Sequence, residues 1–438
     1  MRKVLVIAYS FPPVAVRSQR VVKFVKYLSR FGWWPVVLTP RRPYAPDMDD
    51  RLVDEIAAYP VTVYRTGSFE PVGLIERLKG SRPAGRIRTG RRGRLFRFVR
   101  WLRVNCVIPD YRIGWVPWAI LAGWRIIRSE GIDAILVSVE PFSSLLTAVA
   151  LKRLTGRPLI MDFRDEWTPW ARYRDPEKLG AVIALERWLE RRLVATADAV
   201  ITVTPVMRDN FEQRYPEMGM KFVCIPNGWD PDDFAGPPPP PAPALTVTHA
   251  GTLYRSRFPE GVFTVLRGLL DERPELRHRV RLLLPGTIAE DLEDDLQRYP
   301  YPEIIDCRGP VSAAEARELM RASDILLLQE EADRGIARVA VPSKLYEYLG
   351  AQRFVLALAG DGPIRDMVEQ TEAGVVVEPT DLTRIRAVLL DWIEGRRHDP
   401  VVDEEHLRRR LRFSRLEQTA ELAGWLDRVA PPPTLREG

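Results

Sequence analysis

Residues 230–244 read DPDDFAGPPPPPAPA, and this stretch divides the chain. Five consecutive prolines can continue neither a helix nor a central strand, and they favour an extended, semi-rigid connector. On either side the sequence alternates between strand-like and helix-like patterns. Ahead of it, apolar strand runs fall at 3–9 (KVLVIAY), 34–40, 61–66, 133–139, 158–163, 198–204 and 221–226. Amphipathic helical stretches such as SQRVVKFVKYLSRFG (18–32) and LGAVIALERWLERRLVAT (179–196) lie between them. Beyond the prolines the alternation restarts, with strand runs at 245–251, 279–286, 303–309, 324–329, 354–360 and 374–379, and from about Asp381 the pattern is helical. Near-continuous apolar strands alternating with helices specify a parallel sheet covered on both faces, with ligands at the carboxyl ends of the strands. The expected class is α/β: two doubly wound, Rossmann-like domains facing an interdomain cleft. The first would span 1–235, with a basic amphipathic insertion at about 77–104. A proline hinge at 236–244 would follow, then a second domain at 245–395. C-terminal helices at 396–438 would cross back to the first domain.

A length of 438 residues suits two or three domains, and 46% hydrophobic with 28% charged residues is ordinary globular usage. The three cysteines, Cys106, Cys224 and Cys307, are far apart and in no C-x-x-C spacing, which argues against a disulfide framework and for a reducing compartment. The opening MRKVLVIAY reads as a first strand rather than a signal peptide, and no run of about 20 apolar residues is present. The net charge of +6 is local: eleven Arg or Lys and no acid lie between Arg77 and Arg103, so the remainder is net acidic. Within that run Arg94, Phe96, Arg97, Arg100 and Trp101 interleave cations with aromatics, a pattern suited to an anionic membrane surface; nucleic acid is not the expected partner.

Several strand ends carry candidate chemistry. VPSKLYEYLG (341–350) follows an extended loop and opens a helix near Ser343. Its first N–H groups and the dipole favour a diphosphate, Lys344 adds a cation, and Glu347 one turn on can accept from paired hydroxyls. HAGTLYRSR (249–257) ends another strand of the same domain: Gly251 permits close backbone approach, and Arg255 or Arg257 could neutralise phosphate. FPPVAVRSQR (11–20) places Pro13, Arg17 and Gln19 at a helix mouth, and DFRDEW (162–167) bunches Arg164, Asp165 and further charges at a strand end. The alternative for the latter is an internal pair between Arg164 and a carboxylate. No metal site is expected: His249, His278, His398 and His406 are scattered, and the D-x-D strings at 47–49 and 230–232 sit in a loop and the hinge.

Together FPPVAVRSQRVVKFVKYLSRFGW, PD-R-GWVPWA from Pro109, DFRDEW, ADAVITVTP, IPNGWDPDDF, HAGTLY and PSKLYEYLGAQRFVLAL resemble the GT-B glycosyltransferases of family 4 (group 1). The resemblance implies a retaining, metal-independent transferase that moves a sugar from a nucleotide diphosphate to an acceptor on the first domain. The nucleotide-diphosphate sugar is a co-substrate, and no cofactor is implied. Carried over, Glu347 holds the ribose, Lys344 and one of Arg255 or Arg257 stabilise the leaving diphosphate, Ser343 and Gly251 line it, and Asn227 and Gly228 match the NG at the domain junction. Asp165 would sit where the first domain meets the sugar; Pro13, Arg17, Gln19 and Arg164 would contact the acceptor. Three positions depart from the family pattern: Val339 stands where a second glutamate is common, Val14-Ala15-Val16 replaces a glycine pair, and Thr252 replaces an arginine. A lipid-linked or polysaccharide acceptor at the inner face of the plasma membrane is the expected setting. A nucleotide-sugar epimerase or hydrolase, or a basic scaffold protein, are the other readings.

Overall fold

The computed structural model describes residues 1–41, 43, 48–69, 100–169, 175–236, 239, 244–331, 340–395 and 404–431. The basic residues 77–99, most of the proline run and Val339 lie outside them. The chain forms two compact units, one of residues 1–226 with 419–438 and one of residues 227–418.

In the first unit seven strands form one sheet: β1 (Arg2–Ile7), β2 (Trp33–Pro40), β3 (Thr62–Thr66), β4 (Ala134–Val139), β5 (Leu159–Phe163), β6 (Ala199–Thr202) and β7 (Phe222–Cys224). Their order is β3-β2-β1-β4-β5-β6-β7 and every pairing is parallel. Helices α1 (Gln19–Tyr27), α2 (Arg51–Ala57), α3 (Val116–Glu130), α4 (Ser144–Thr155), α5 (Gly180–Thr196) and α6 (Pro205–Arg214) connect them. One core joins β-strand residues Leu5, Ile7, Ile135 and Val137 to Ala119 and Ile127 of α3 and Leu145 and Ala148 of α4. The other joins Val4, Val6, Leu136 and Ile160 to Val21, Phe24 and Val25 of α1. Side chains alternate between the two cores along each strand, which is why these strands read as unbroken apolar runs.

The second unit holds β8 (Leu245–Thr248), β9 (Val280–Pro285), β10 (Ile305–Gly309), β11 (Ile325–Gln329), β12 (Phe354–Leu358) and β13 (Gly374–Val377), ordered β10-β9-β8-β11-β12-β13 and again wholly parallel. Its helices are α7 (Glu260–Glu272), α8 (Glu290–Gln297), α9 (Ala313–Arg321), α10 (Ser343–Ala351), α11 (Pro363–Gln370), α12 (Leu382–Ile393) and α13 (Glu404–Leu411). Each sheet is doubly wound, and the order reverses between β1 and β4 in one and between β8 and β11 in the other, the place where such sheets open a crevice.

The unit boundary falls at Pro226, ahead of the prolines rather than at 236–244. Burial explains the shift: Trp229 and Phe234 pack with Leu345, Leu349 and Ala351 of α10, and Trp229 Nε1 donates to the Arg410 carbonyl at 3.1 Å. The last helix, α14 (Arg415–Val429), lies from residue 419 onward in the first unit, where Leu422, Ala423 and Leu426 are buried against Val4, Phe24 and Trp33. Trp33 Nε1 donates to Asp427 at 2.8 Å, and Arg2 to the Ala430 carbonyl at 2.6 Å. No helix among the described residues is long and apolar enough to cross a membrane.

Candidate active site

At the reversal point of the second sheet, β8 runs into His249-Ala250-Gly251, and α10 opens on Pro342 without a side-chain cap. Gly251 has φ +95°, and a Cβ placed on it would lie 3.8 Å from Lys344 Nζ, so the loop and the helix mouth meet. The next loop is pressed against the first: a Cβ on Gly286 (φ +142°) would come within 2.3 Å of the Gly251 carbonyl oxygen. Tyr348, one turn into α10, fixes both sides. Its hydroxyl accepts from the Ala250 N–H at 3.1 Å and donates to the Leu327 carbonyl at 3.2 Å.

His249, set aside in the sequence as one of four scattered histidines, proves to be part of this group. It is fully buried, with Nδ1 3.2 Å from the Leu327 carbonyl and Nε2 2.9 Å from Lys344 Nζ. A carbonyl only accepts, so Nδ1 carries the proton and Nε2 accepts from the ammonium group. Burial, then the Lys344 charge, pushes the imidazole down to about 3, and it is neutral at physiological pH. Lys344 is itself pushed down to about 8 by burial and by Arg257, with Glu347 opposing. The 95-residue separation of the pair is the reason no local pattern announces it.

The two arginines part company. Arg255 is turned onto α8, donating to Asp295 at 2.6 Å and lying 3.3 Å from Asp291. Arg257 lies close enough to depress Lys344 and is held by Glu331 at 2.9 Å. Glu347 keeps an open face to solvent and has no hydrogen bond or ion pair among the described residues. Desolvation by the surrounding protein raises its carboxyl above the ordinary value, against Arg317, Lys344 and Arg415. Ser343 is exposed at the helix mouth. A Cβ on Gly228 would come 2.3 Å from the Phe413 carbonyl, and the Asn227 carbonyl accepts from Gln418 at 2.7 Å, so Asn227 and Gly228 pack against Phe413 and the first turn of α14.

In the first unit the charges bunched in the sequence are mostly paired. Arg20 of α1 binds Asp162 through Nε and Nη2 at 2.8–3.1 Å, both side chains 1% exposed, and Arg20 also donates to the Ile225 and Pro226 carbonyls. The internal ion pair of DFRDEW is therefore made by Arg20, not Arg164. Glu166 takes Arg214 at 2.5 Å. Arg164 donates to the Arg17 carbonyl, joining the loop after β5 to the segment before α1, and burial lowers its pKa. Asp165, Arg17 and Gln19 remain exposed, and Pro13 is half-buried with its carbonyl accepting from Asp49 N–H at 2.7 Å. Of the basic segment's candidates, Arg94, Phe96 and Arg97 lie outside the described residues; Arg100 is exposed beside Glu177 at 3.9 Å and Trp101 is half-buried. Among the described residues no three His, Cys, Asp or Glu side chains come together as a metal site would need.

Residues 18–233 match the family model described as Glycosyltransferase Family 4. No curated protein matches the chain in sequence. In structure it is similar to a glycosyltransferase from Rickettsia africae at 13% identity, covering 98% of this chain and 99% of that one with a TM-score of 0.62. It is similar to HepE of Anabaena in complex with UDP at 15% identity, covering 98% and 100% with a TM-score of 0.60. Sucrose-phosphate synthase of Thermosynechococcus elongatus, at 14% identity, covers 98% of each chain with a TM-score of 0.61.

Proposed function

We propose that this chain, whose residues 18–233 match the Glycosyltransferase Family 4 model and whose fold is that of GT-B proteins, transfers a glycosyl group, with retention, from a uridine-diphosphate sugar to a lipid-linked or polysaccharide acceptor of the cell envelope. The observation that carries the donor half is the convergence of Gly251, Lys344 and His249 at the reversal point of the second sheet, with Glu347 one turn deeper. The neighbour from Anabaena holds UDP, and another structure of it holds UDP-glucose, which supports a nucleotide of that kind.

In this reading the leaving diphosphate lies against the α10 mouth and the Gly251 backbone. Lys344 and Arg257 meet the charge that develops as the glycosidic bond breaks. The buried neutral imidazole of His249 holds the ammonium group without cancelling its charge. Glu347 accepts from the ribose hydroxyls. Retention follows if the acceptor hydroxyl attacks from the face that the diphosphate leaves; Asp165 positions rather than attacks, and no metal takes part. The acceptor binds the first unit near Arg17, Gln19 and Arg164. The eleven charges between Arg77 and Arg103 hold the enzyme at the anionic inner surface of the plasma membrane, where a lipid-linked acceptor would be met.

The test is thermal shift of the full chain with nucleoside diphosphates and their sugars, on wild type and Glu347→Ala. One nucleotide sugar raising the wild-type midpoint and raising the variant's less would establish the donor site. No shift with any nucleotide would overturn the reading. Sugar turnover that requires no added acceptor would point instead to a hydrolase or epimerase.

A further inference from the structure

The geometry points to a second binding site in the first unit: a cavity lined by Arg112 that takes an oxyanion, phosphoryl or carboxylate, carried by a sugar acceptor. The cavity has a volume of about 210 Å³ and is lined by residues of that unit alone, among them Arg112, Tyr111, Glu140, Phe142, Trp167 and Lys178. It lies by the end of β4, at the reversal point of the first sheet, where doubly wound sheets bind ligands. Its volume is below the several hundred Å³ of a drug-sized site, which suits one sugar ring.

Arg112 is the feature that asks for a ligand. It is nine-tenths buried, yet its guanidinium makes no hydrogen bond or ion pair among the described residues, and Nε is wholly shielded from water. Among the described residues the guanidinium faces the rings of Tyr9 and Tyr111, 4.8 and 4.9 Å from its central carbon, and its charge also acts on the Asp110 carboxyl. Cation–π contact orients the group but leaves its donors unspent, and burying the unspent donors of a cation is costly. The nearest acid in sequence, Asp110, is already used: it accepts from Ser143 N–H and Oγ at 2.9 Å and from the Arg112 backbone N–H at 3.0 Å. Those bonds pin the 110–115 turn to the loop after β4. Lys178 is likewise committed, to Glu186 at 2.9 Å.

The other walls suit a sugar. Phe142 and Trp167 stack on each other at 5.1 Å with planes 9° apart, both buried, and bound the cavity on its apolar side. Glu140 is held at φ +110°, a conformation that costs a residue with a side chain about 1–3 kcal/mol and is retained where the surroundings require it. Its charge acts on Arg164, so the cavity borders the loop proposed above for the acceptor, and its carboxylate can accept from sugar hydroxyls. The arginine selects the acid group, the stacked rings limit the apolar side of the cavity, and the carboxylate takes the hydroxyls.

This inference rests on the transferase reading, and the experiment separates the two. The full chain is titrated in thermal shift with a hexose 6-phosphate, a hexuronate and the uncharged hexose, and separately with UDP, for wild type, Arg112→Gln and Arg112→Lys. Expected is stabilisation of wild type by one or both acid sugars over the neutral one, with roughly 10- to 150-fold weaker apparent affinity in Arg112→Gln. Arg112→Lys should fall between the two, and the UDP shift should be unchanged in both variants. The phosphate and uronate arms tell which oxyanion is preferred. Wild type that ignores both acid sugars, or answers the neutral sugar equally well, overturns the proposal even if the variants fail to fold. Equal acid-sugar affinity in wild type and Arg112→Gln overturns it as well. A lost UDP shift in wild type would sink the transferase reading instead.

Discussion

Lys344 sits near its titration point because protein surrounds it and Arg257 faces it, while His249 takes one of its hydrogen bonds without supplying negative charge. An amine is charged below its pKa, so diphosphate affinity should fall as pH rises through about 8, with the charged fraction dropping about fourfold between pH 7 and 8.5. Calorimetric titration of UDP across that range should show the decline in wild type and a flat, weaker profile in Lys344→Met. Glu347→Ala should weaken the same titration by roughly 10- to 150-fold, the worth of charged hydrogen bonds to two hydroxyls. Lys344 and Glu347 were legible in the sequence because both lie on one helix turn after a loop. His249 was not, because its meaning depends on a carbonyl of β11 and a side chain of α10, both distant along the chain. The pairing of Arg20, a residue of the helix mouth FPPVAVRSQR, escaped for the same reason: its partner Asp162 is 142 residues away.

At the scale of elements, the loops after β8 and β9 are held by glycines that differ in kind. Gly251 needs its left-handed backbone but has room beside it, whereas Gly286 faces the Gly251 carbonyl with no space for another atom. Gly286→Ala should therefore lower the unfolding midpoint more than Gly251→Ala, whose cost is about the 1–2 kcal/mol of a left-handed residue. Chemical denaturation of the two variants side by side decides this. The buried Arg20–Asp162 pair ties α1 to β5, and Asp162→Leu alone should cost about 3–5 kcal/mol by stranding a charge. Pairing it with Arg20→Met should restore most of that loss in a double-mutant cycle. Among the described residues the inner strands, such as β1, β4, β5 and β12, coincide with apolar runs in the sequence, since strands buried on both faces need no alternation. The unit boundary was less legible: the prolines are conspicuous, but the packing of Trp229 and Phe234 moves the division upstream to Pro226.

For the whole molecule, the proposed membrane contact rests on the concentration of basic residues in one segment. If each cation near an anionic bilayer contributes about 1 kcal/mol, replacing Arg94, Arg97 and Arg100 by Gln should weaken binding to phosphatidylglycerol vesicles by roughly 100-fold. Co-sedimentation should also weaken with added salt, and binding indifferent to both would remove the membrane from the account. The way the chain is shared between the units has a consequence in time. The second unit is contiguous, from 227 to 418, whereas the sheet that begins at Arg2 is covered by a helix whose buried face, Leu422 to Leu426, is made last. On the ribosome, then, the half started first is finished last: it must wait, with Val4, Phe24 and Trp33 only partly covered, while a complete neighbour is translated and folds. Newly made chains stalled before residue 419 should be captured by chaperones through the first half and not the second.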